Sequence, residues 1–292
     1  MSRARHALAA CLLAVGGPAA AAGLASHEAV GFAGRLLATG GASSIEGSAG
    51  GGLVPWAVIA GYGAAGQWGG AAFATHVDSG DYTLASHGVA LGWNNRLEVG
   101  VARQHFGLPR LADALGLPVR SFRQDIVHAK LRLAGDLVYT PLPQLSLGVQ
   151  HKRHRDFLVP ALVGARDDDG TDLYLAASKL FLDGPGGRQL LLNGVLRHSR
   201  AHQTGLLGFG GESHLLGEAS AAVLLDPRWA LGVEYRQKPD ALDFAREDDW
   251  RSAFVAWFPN KRVAVVAAWT DLGNIATLPG QEAWYVSIQF SR

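Results

Sequence analysis

Residues 281–290 read QEAWYVSIQF, and the alternation within this stretch decides the fold. Successive side chains of a strand point to opposite sides, so Trp284, Val286, Ile288 and Phe290 share one face and Tyr285, Ser287 and Gln289 the other. The pattern recurs from Gln67 onward. Alternation and turn residues predict strands at 66–77, 81–92, 95–107, 124–135, 143–154, 172–182, 188–199, 214–225, 229–238, 249–258, 262–271 and 281–291, twelve in all. The connections around Asn94, Thr140 to Leu142, Gly184 to Gly187, Asp226 to Pro227 and Pro259 to Lys261 are short. Those around Pro109 to Val119, Arg155 to Thr171, Ala201 to Ser213, Pro239 to Asp248 and Leu272 to Gly280 are longer. Short turns at one end and long loops at the other are the habit of outer-membrane barrels.

The start of the chain agrees with that reading. Arg3, Arg5 and His6 precede an apolar segment from Ala7 to Val15, and Pro18 with Ala19 to Ala22 supplies a small-residue end, so residues 1–22 read as a cleaved signal peptide. The run LAAC ending at Cys11 could be a lipoprotein box, but too few apolar residues precede it for an export core. Cleavage after Ala22 removes the only cysteine, leaving no disulfide framework and no thiol chemistry. Charge is balanced, 26 basic against 25 acidic residues, and offers no footprint for nucleic acid.

A membrane-spanning helix needs about 18 or more consecutive apolar residues. The longest uncharged stretch, Gly47 to Thr75, is broken by Pro55 and repeated glycines. Strands with one continuous apolar face remain, and in lipid they must close so that every backbone N–H and C=O is paired. The expected fold is therefore all-β: a transmembrane antiparallel up-and-down β-barrel at 66–292, in the outer membrane of a Gram-negative bacterium. Trp93, Trp229 and Trp257 beside short turns and Trp250, Trp269 and Trp284 nearer long loops would form two interfacial girdles.

Residues 23–65 form a Gly-rich segment with three possible places. Its stretch LVPWAVIAGY could pair with LLATGG to make fourteen strands, or the segment could plug the lumen or form a periplasmic lead; twelve strands is preferred. Without side chains, glycine lets such a segment pack closely against other backbone. The runs LLATGGASSIEGSAGGGLVPWAVIAGYG, QDIVHAKLRL, GARDDDGTDLYL, EYRQKPD and AWFPNKRVAVVAAWTDLG together resemble an uncharacterised proteobacterial family defined as a domain of unknown function. That resemblance covers nearly the whole mature chain; it implies a secreted, outer-membrane β-barrel and carries no activity and no catalytic residue.

Function must then be read from the lumen face. With Val127, Ala129, Leu131 and Leu133 turned to lipid, His128, Lys130 and Arg132 turn inward. With Trp229, Leu231, Val233 and Tyr235 outward, Glu234, Arg236 and Lys238 turn inward; Asn193, Arg197 and Glu218 follow the same logic. This ionic, basic-leaning set would line a route for a small anionic solute if the lumen is open. The same charges could instead pair across the interior and fill it.

The loops are weaker. Asp167, Asp169 and Asp172 around Gly170 loosely imitate a calcium loop, but no glutamate closes the pattern, and a solvated acidic turn is the simpler reading. A second acidic group, Asp243, Glu247, Asp248 and Asp249, reads the same way; both could share divalent cations with lipopolysaccharide. His198 beside Ser199 and Ser213 beside His214 are poor catalytic pairs, because neighbours in a strand point apart. No cofactor is expected. The expected partners are outer-membrane lipid and lipopolysaccharide, the barrel assembly machinery and a small solute. The leading expectation is a monomeric channel or binding barrel; the rivals are a structural or assembly component and a lipid-modifying enzyme.

Overall fold

The computed structural model describes residues 35–116, 119–241, 246–276 and 278–292. The expected signal peptide with Cys11, and Asp243 of the second acidic group, lie outside the described residues. Two minimal strands, β1 (Ala42–Ser43) and β2 (Ala49–Gly50), pair with each other inside the barrel. The wall follows as β3 (Trp68–Asp78), β4 (Thr83–Trp93), β5 (Leu97–Gly107), β6 (Ser121–Ala134), β7 (Gln144–His154) and β8 (Asp169–Phe181). It continues with β9 (Gln189–Ala201), β10 (Phe209–Asp226), β11 (Trp229–Arg236), β12 (Trp250–Asn260), β13 (Val263–Asp271) and β14 (Glu282–Ser291). Each strand pairs antiparallel with its sequence neighbours, and β14 returns to β3 in a register running from Trp284 opposite Asp78 to Ser291 opposite Ala71. Twelve strands thus close a barrel with no free edge.

The twelve-strand expectation holds, and the fourteen-strand alternative is overturned: LVPWAVIAGY does not join the wall, and no residue of LLATGG is in a strand. Alternation locates the wall because its two faces meet different surroundings. Val89, Leu91, Val99, Val101, Leu131 and Leu231 stand exposed on the outer face. An apolar belt of this extent has no stable place in water. Asn94 and Asn95, both at positive φ, turn β4 into β5, a conformation asparagine tolerates.

Two expectations need correction at the long-loop end. The span from Ala201 to Ser213 is shorter than expected: β9 ends at Ala201, β10 begins at Phe209 and runs 18 residues, and the connection, residues 202–208, opens with a turn, His202–Gly205, folded inward. Trp250 does not belong to a girdle; it is inward and buried, because its strand begins on the lumen-facing phase. The other girdle tryptophans, Trp93, Trp229, Trp257, Trp269 and Trp284, do sit on the outer face at the two ends. Trp68 lies against Trp93 with ring centroids 6.3 Å apart, Trp229 stacks on Trp257 at 5.8 Å, and Trp269 is opposite Trp284.

Candidate functional site

The lumen is occupied by residues 39–62, nearly all buried. Glycine is what lets this segment approach the wall. A Cβ on Gly51 would lie 2.0 Å from Glu234 Oε1, and one on Gly61, which also has a positive φ of 75°, would lie 2.3 Å from the backbone nitrogen of Gly70. At the short-turn end Trp56, Leu37 and Ala38 pack against Leu137, Leu191 and Phe258. At the long-loop end Ile45 and Leu53 meet Tyr82, Leu206, Trp250 and Leu272. The cavities left in these two layers are about 30 and 40 Å³, each room for about one water.

Between the apolar layers lies an ionic centre. Glu46, the only Asp, Glu, Lys or Arg between Arg35 and Asp78, enters it from the plug. Its Oε1 accepts from Lys152 Nζ and, at 2.9 Å, from Arg236 Nη2, while Oε2 lies 3.5 Å from Arg197 Nη2. Two wall carboxylates complete the group. Asp172 is 2.7 Å from Lys152 and 3.3 Å from Arg197, and Glu218 pairs with Arg197 through Nε and, at 3.6 Å, with Arg236. Every member is almost fully buried. Charges so placed are tolerable only when paired and hydrogen-bonded.

Elsewhere the polarity of the grip is reversed, with wall carboxylates taking plug N–H groups. Glu234 accepts from the backbone of Gly52 at 2.9 Å, Leu53 at 2.8 Å and Val54 at 3.3 Å, and from Ser220 Oγ at 3.2 Å. Glu98 accepts from Ser48 Oγ and the N–H of Ala49 and Ala60, with Lys130 beside it at 3.2 Å and His128 at 3.4 Å. Lys130 also donates to the carbonyls of Ala49 and Val58 at 3.0 and 2.7 Å. Asn193 donates to Pro55 O at 3.3 Å.

The inward turn at 202–205 covers this centre from the long-loop end. Gln203 and Thr204 are non-glycine residues at positive φ, 46° and 61°, a conformation that surrounding bonds must hold in place. Thr204 O accepts from Lys152 Nζ at 3.1 Å, Gln203 N–H donates to Glu247 at 2.8 Å, and Lys238 Nζ donates to Gln203 Oε1 at 2.8 Å. Burial raises the pKa of Glu247 and lowers that of Lys238, each opposed by the charge of the other. Lys152 therefore touches wall, plug and turn at once.

The expected inward set is placed as follows. His128, Lys130, Asn193, Arg197, Glu218, Glu234, Arg236 and Lys238 are all inside and buried. Arg132 stands apart at the short-turn mouth, bonded to Gly135 O and, at 3.1 Å, to Asp136. Of the three aspartates weighed as a metal loop, Asp172 faces inward into the ionic centre, whereas Asp167 and Asp169 stay outside against Arg200 and His151. They do not converge, since the strand turns Asp169 and Asp172 to opposite faces, and no group of three or more potential ligands gathers among the described residues. Ser199 turns inward to Asp172 at 2.5 Å while His198 is exposed outside.

Lys152, Glu98 and Gln150 were not among the inward residues named from sequence, although alternation could have found them. In 144–154 the outward Leu145, Leu147 and Val149 leave Gln150 and Lys152 inside, and Leu97 with Val99 leaves Glu98 inside. Glu46 lies in no periodic segment. Its signal is its solitude.

A closed, apolar-belted barrel of twelve strands with a polar, plugged interior defines a porin-like outer-membrane β-barrel. The chain belongs to the family described as protein of unknown function DUF3034, whose model matches residues 39–289, from the first buried residues of the plug through the wall. Among solved structures it is similar to the NanC porin, with 8% identity over 76% of this chain and 98% of that one and a TM-score of 0.50. It is also similar to Omp33 of Acinetobacter baumannii (11% identity, 77% and 97% covered, TM-score 0.45) and to the KdgM porin (9%, 75% and 98%, 0.45). At such identities the likeness concerns the fold alone. No curated protein matches its sequence.

Proposed function

We propose that the protein is an outer-membrane channel closed at rest by its own N-terminal segment, which admits a small anionic solute when that segment moves. The carrying observation is the independence of wall and plug. The wall closes through its own ladders, whereas the plug pairs only with itself and is fixed by side-chain bonds and by a backbone bond from Tyr62 N–H to Arg292 O at 3.4 Å. Withdrawal of the plug would leave every barrel ladder intact. The apolar outer belt supports lipid as its surroundings. The cluster Lys152, Arg197 and Arg236 supports an anion as the solute.

The double closure, plug from one end and the 202–205 turn from the other, favours a second reading as a structural barrel that conducts nothing. Planar-bilayer recording separates the two. The mature protein and a form lacking 23–62 are reconstituted, and single-channel current and anion-to-cation preference are measured. Discrete conductance that rises on deletion supports a plugged channel. Silence from both correctly folded forms would leave the structural reading.

A further inference from the structure

We infer that the ionic centre is a binding site for a small carboxylate and that Glu46 is its tethered occupant, a carboxylate of the protein holding the place of a free one. The inference names the solute class for the channel proposed above and rests on that reading. The wall's contribution to the centre is three cations, Lys152, Arg197 and Arg236, against two carboxylates, Asp172 and Glu218, so it lacks one negative charge. Glu46 supplies that charge from a segment that is not part of the wall. Arginine and lysine at such distances make the strong, charge-assisted bonds that recognise a carboxylate.

The fit of the present occupant is incomplete. Glu46 Oε2 makes no hydrogen bond and meets Arg197 Nη2 only at 3.5 Å. Gln150, which shares Arg197 with it, accepts at Oε1 from Arg197 Nη1 at 2.6 Å, and its buried Nε2 has no acceptor. A buried donor and a buried acceptor are thus left unmatched at one centre, a costly arrangement in a dry interior. A carboxylate free of the plug's backbone could settle closer to Arg197 and accept from Gln150. Tethering explains why an imperfect ligand nonetheless holds the site, since a linked group competes at an effective concentration of about millimolar or more.

Chemical rescue of the full mature chain tests this. Glu46→Ala removes the occupant and leaves the wall cluster one positive charge in excess, and it should lower the midpoint of heat-induced barrel unfolding by about 5 °C or more. Sodium acetate at constant ionic strength should restore the midpoint in a saturable way, while acetamide and chloride should not. Wild type, with the site filled, should not respond. Glu46→Gln keeps the space filled without the charge and should be destabilised yet insensitive to acetate. If Glu46→Ala refolds only poorly, its refolding yield against acetate, acetamide or chloride gives the same comparison. Equal effects of acetate and acetamide, or no saturable acetate effect in Glu46→Ala, would overturn the site. Conductance of the form lacking 23–62 is read separately. Failed rescue with retained conductance removes the carboxylate site alone, and rescue with silence removes the channel alone.

Discussion

The wall and the plug solve the same problem, a buried backbone, in different ways. Every wall strand from β3 to β14 pairs on both edges, so its N–H and C=O groups are satisfied by neighbours of the same kind. The plug has one pair of two-residue strands, and many of its groups turn to side chains instead: the N–H groups of Gly52, Leu53 and Val54 to Glu234, those of Ala49 and Ala60 to Glu98, and the carbonyls of Ala49, Val58 and Ala57 to Lys130, Gln144 and Ser146. A ladder is cooperative and tolerant of single side chains. A set of side-chain grips fails one residue at a time.

That contrast predicts which substitutions reach which region. The largest effect belongs to Gly51→Ala, whose Cβ would stand 2.0 Å from Glu234 Oε1. The carboxylate can swing away, but only by leaving the N–H groups it serves. Seating of the plug should weaken by about 3 kcal/mol, combining overpacking with lost bonds. The measurement is protease cleavage within residues 39–62, which should accelerate while the far-ultraviolet strand signal persists. Cleavage at the wild-type rate would show that the plug is held elsewhere. Next comes Glu234→Gln, which puts one amide oxygen where two carboxylate oxygens serve three N–H groups. A loss of about 2 kcal/mol is expected in the same assay. Trp229→Ala should act the other way round. It removes a stacked pair from the outer girdle and should lower wall stability by about 1 kcal/mol, with cleavage of the plug unchanged.

How much of this could be read from sequence follows the same divide. Strands such as 83–93 and 97–107 were legible within two residues because lipid on one side and a polar interior on the other impose a period of two. The same period placed Lys130, Arg197, Glu234 and Arg236 inside. It could not say what they would meet, since their partners come from a segment without periodicity. Glycine marked residues 23–65 as able to pack closely, which suits an inserted plug, but it left a periplasmic lead and an extra strand pair open as well. Trp250 misled because a tryptophan near a strand end fits either face, and only the phase of its strand decides. The turn at 202–205 misled because inward folding depends on contacts with Glu247, Lys238 and Lys152 from three other parts of the chain.

The smallest effect concerns a turn that belongs to the wall but borrows the plug's style of bonding. Between β6 and β7, Asp136 Oδ1 accepts from the N–H groups of Val138 and Tyr139, both at 2.8 Å, and Oδ2 from Arg132 at 3.1 Å. Partial burial would raise its pKa, but the two N–H groups and the Arg132 guanidinium outweigh it and hold the carboxyl below the usual range. A depressed folded-state pKa means that the ionised group favours the fold above its unfolded value and that this contribution fades as pH falls. Asp136→Asn should therefore destabilise by about 0.5–1 kcal/mol at neutral pH. The gap between variant and wild type should shrink as the pH is taken below about 4. Measured as paired unfolding midpoints across that range, a gap that stays constant would assign the effect to shape rather than charge. A gap that closes would show that even within the ladder-built wall, one turn is held by a carboxylate as Glu234 and Glu98 hold the plug.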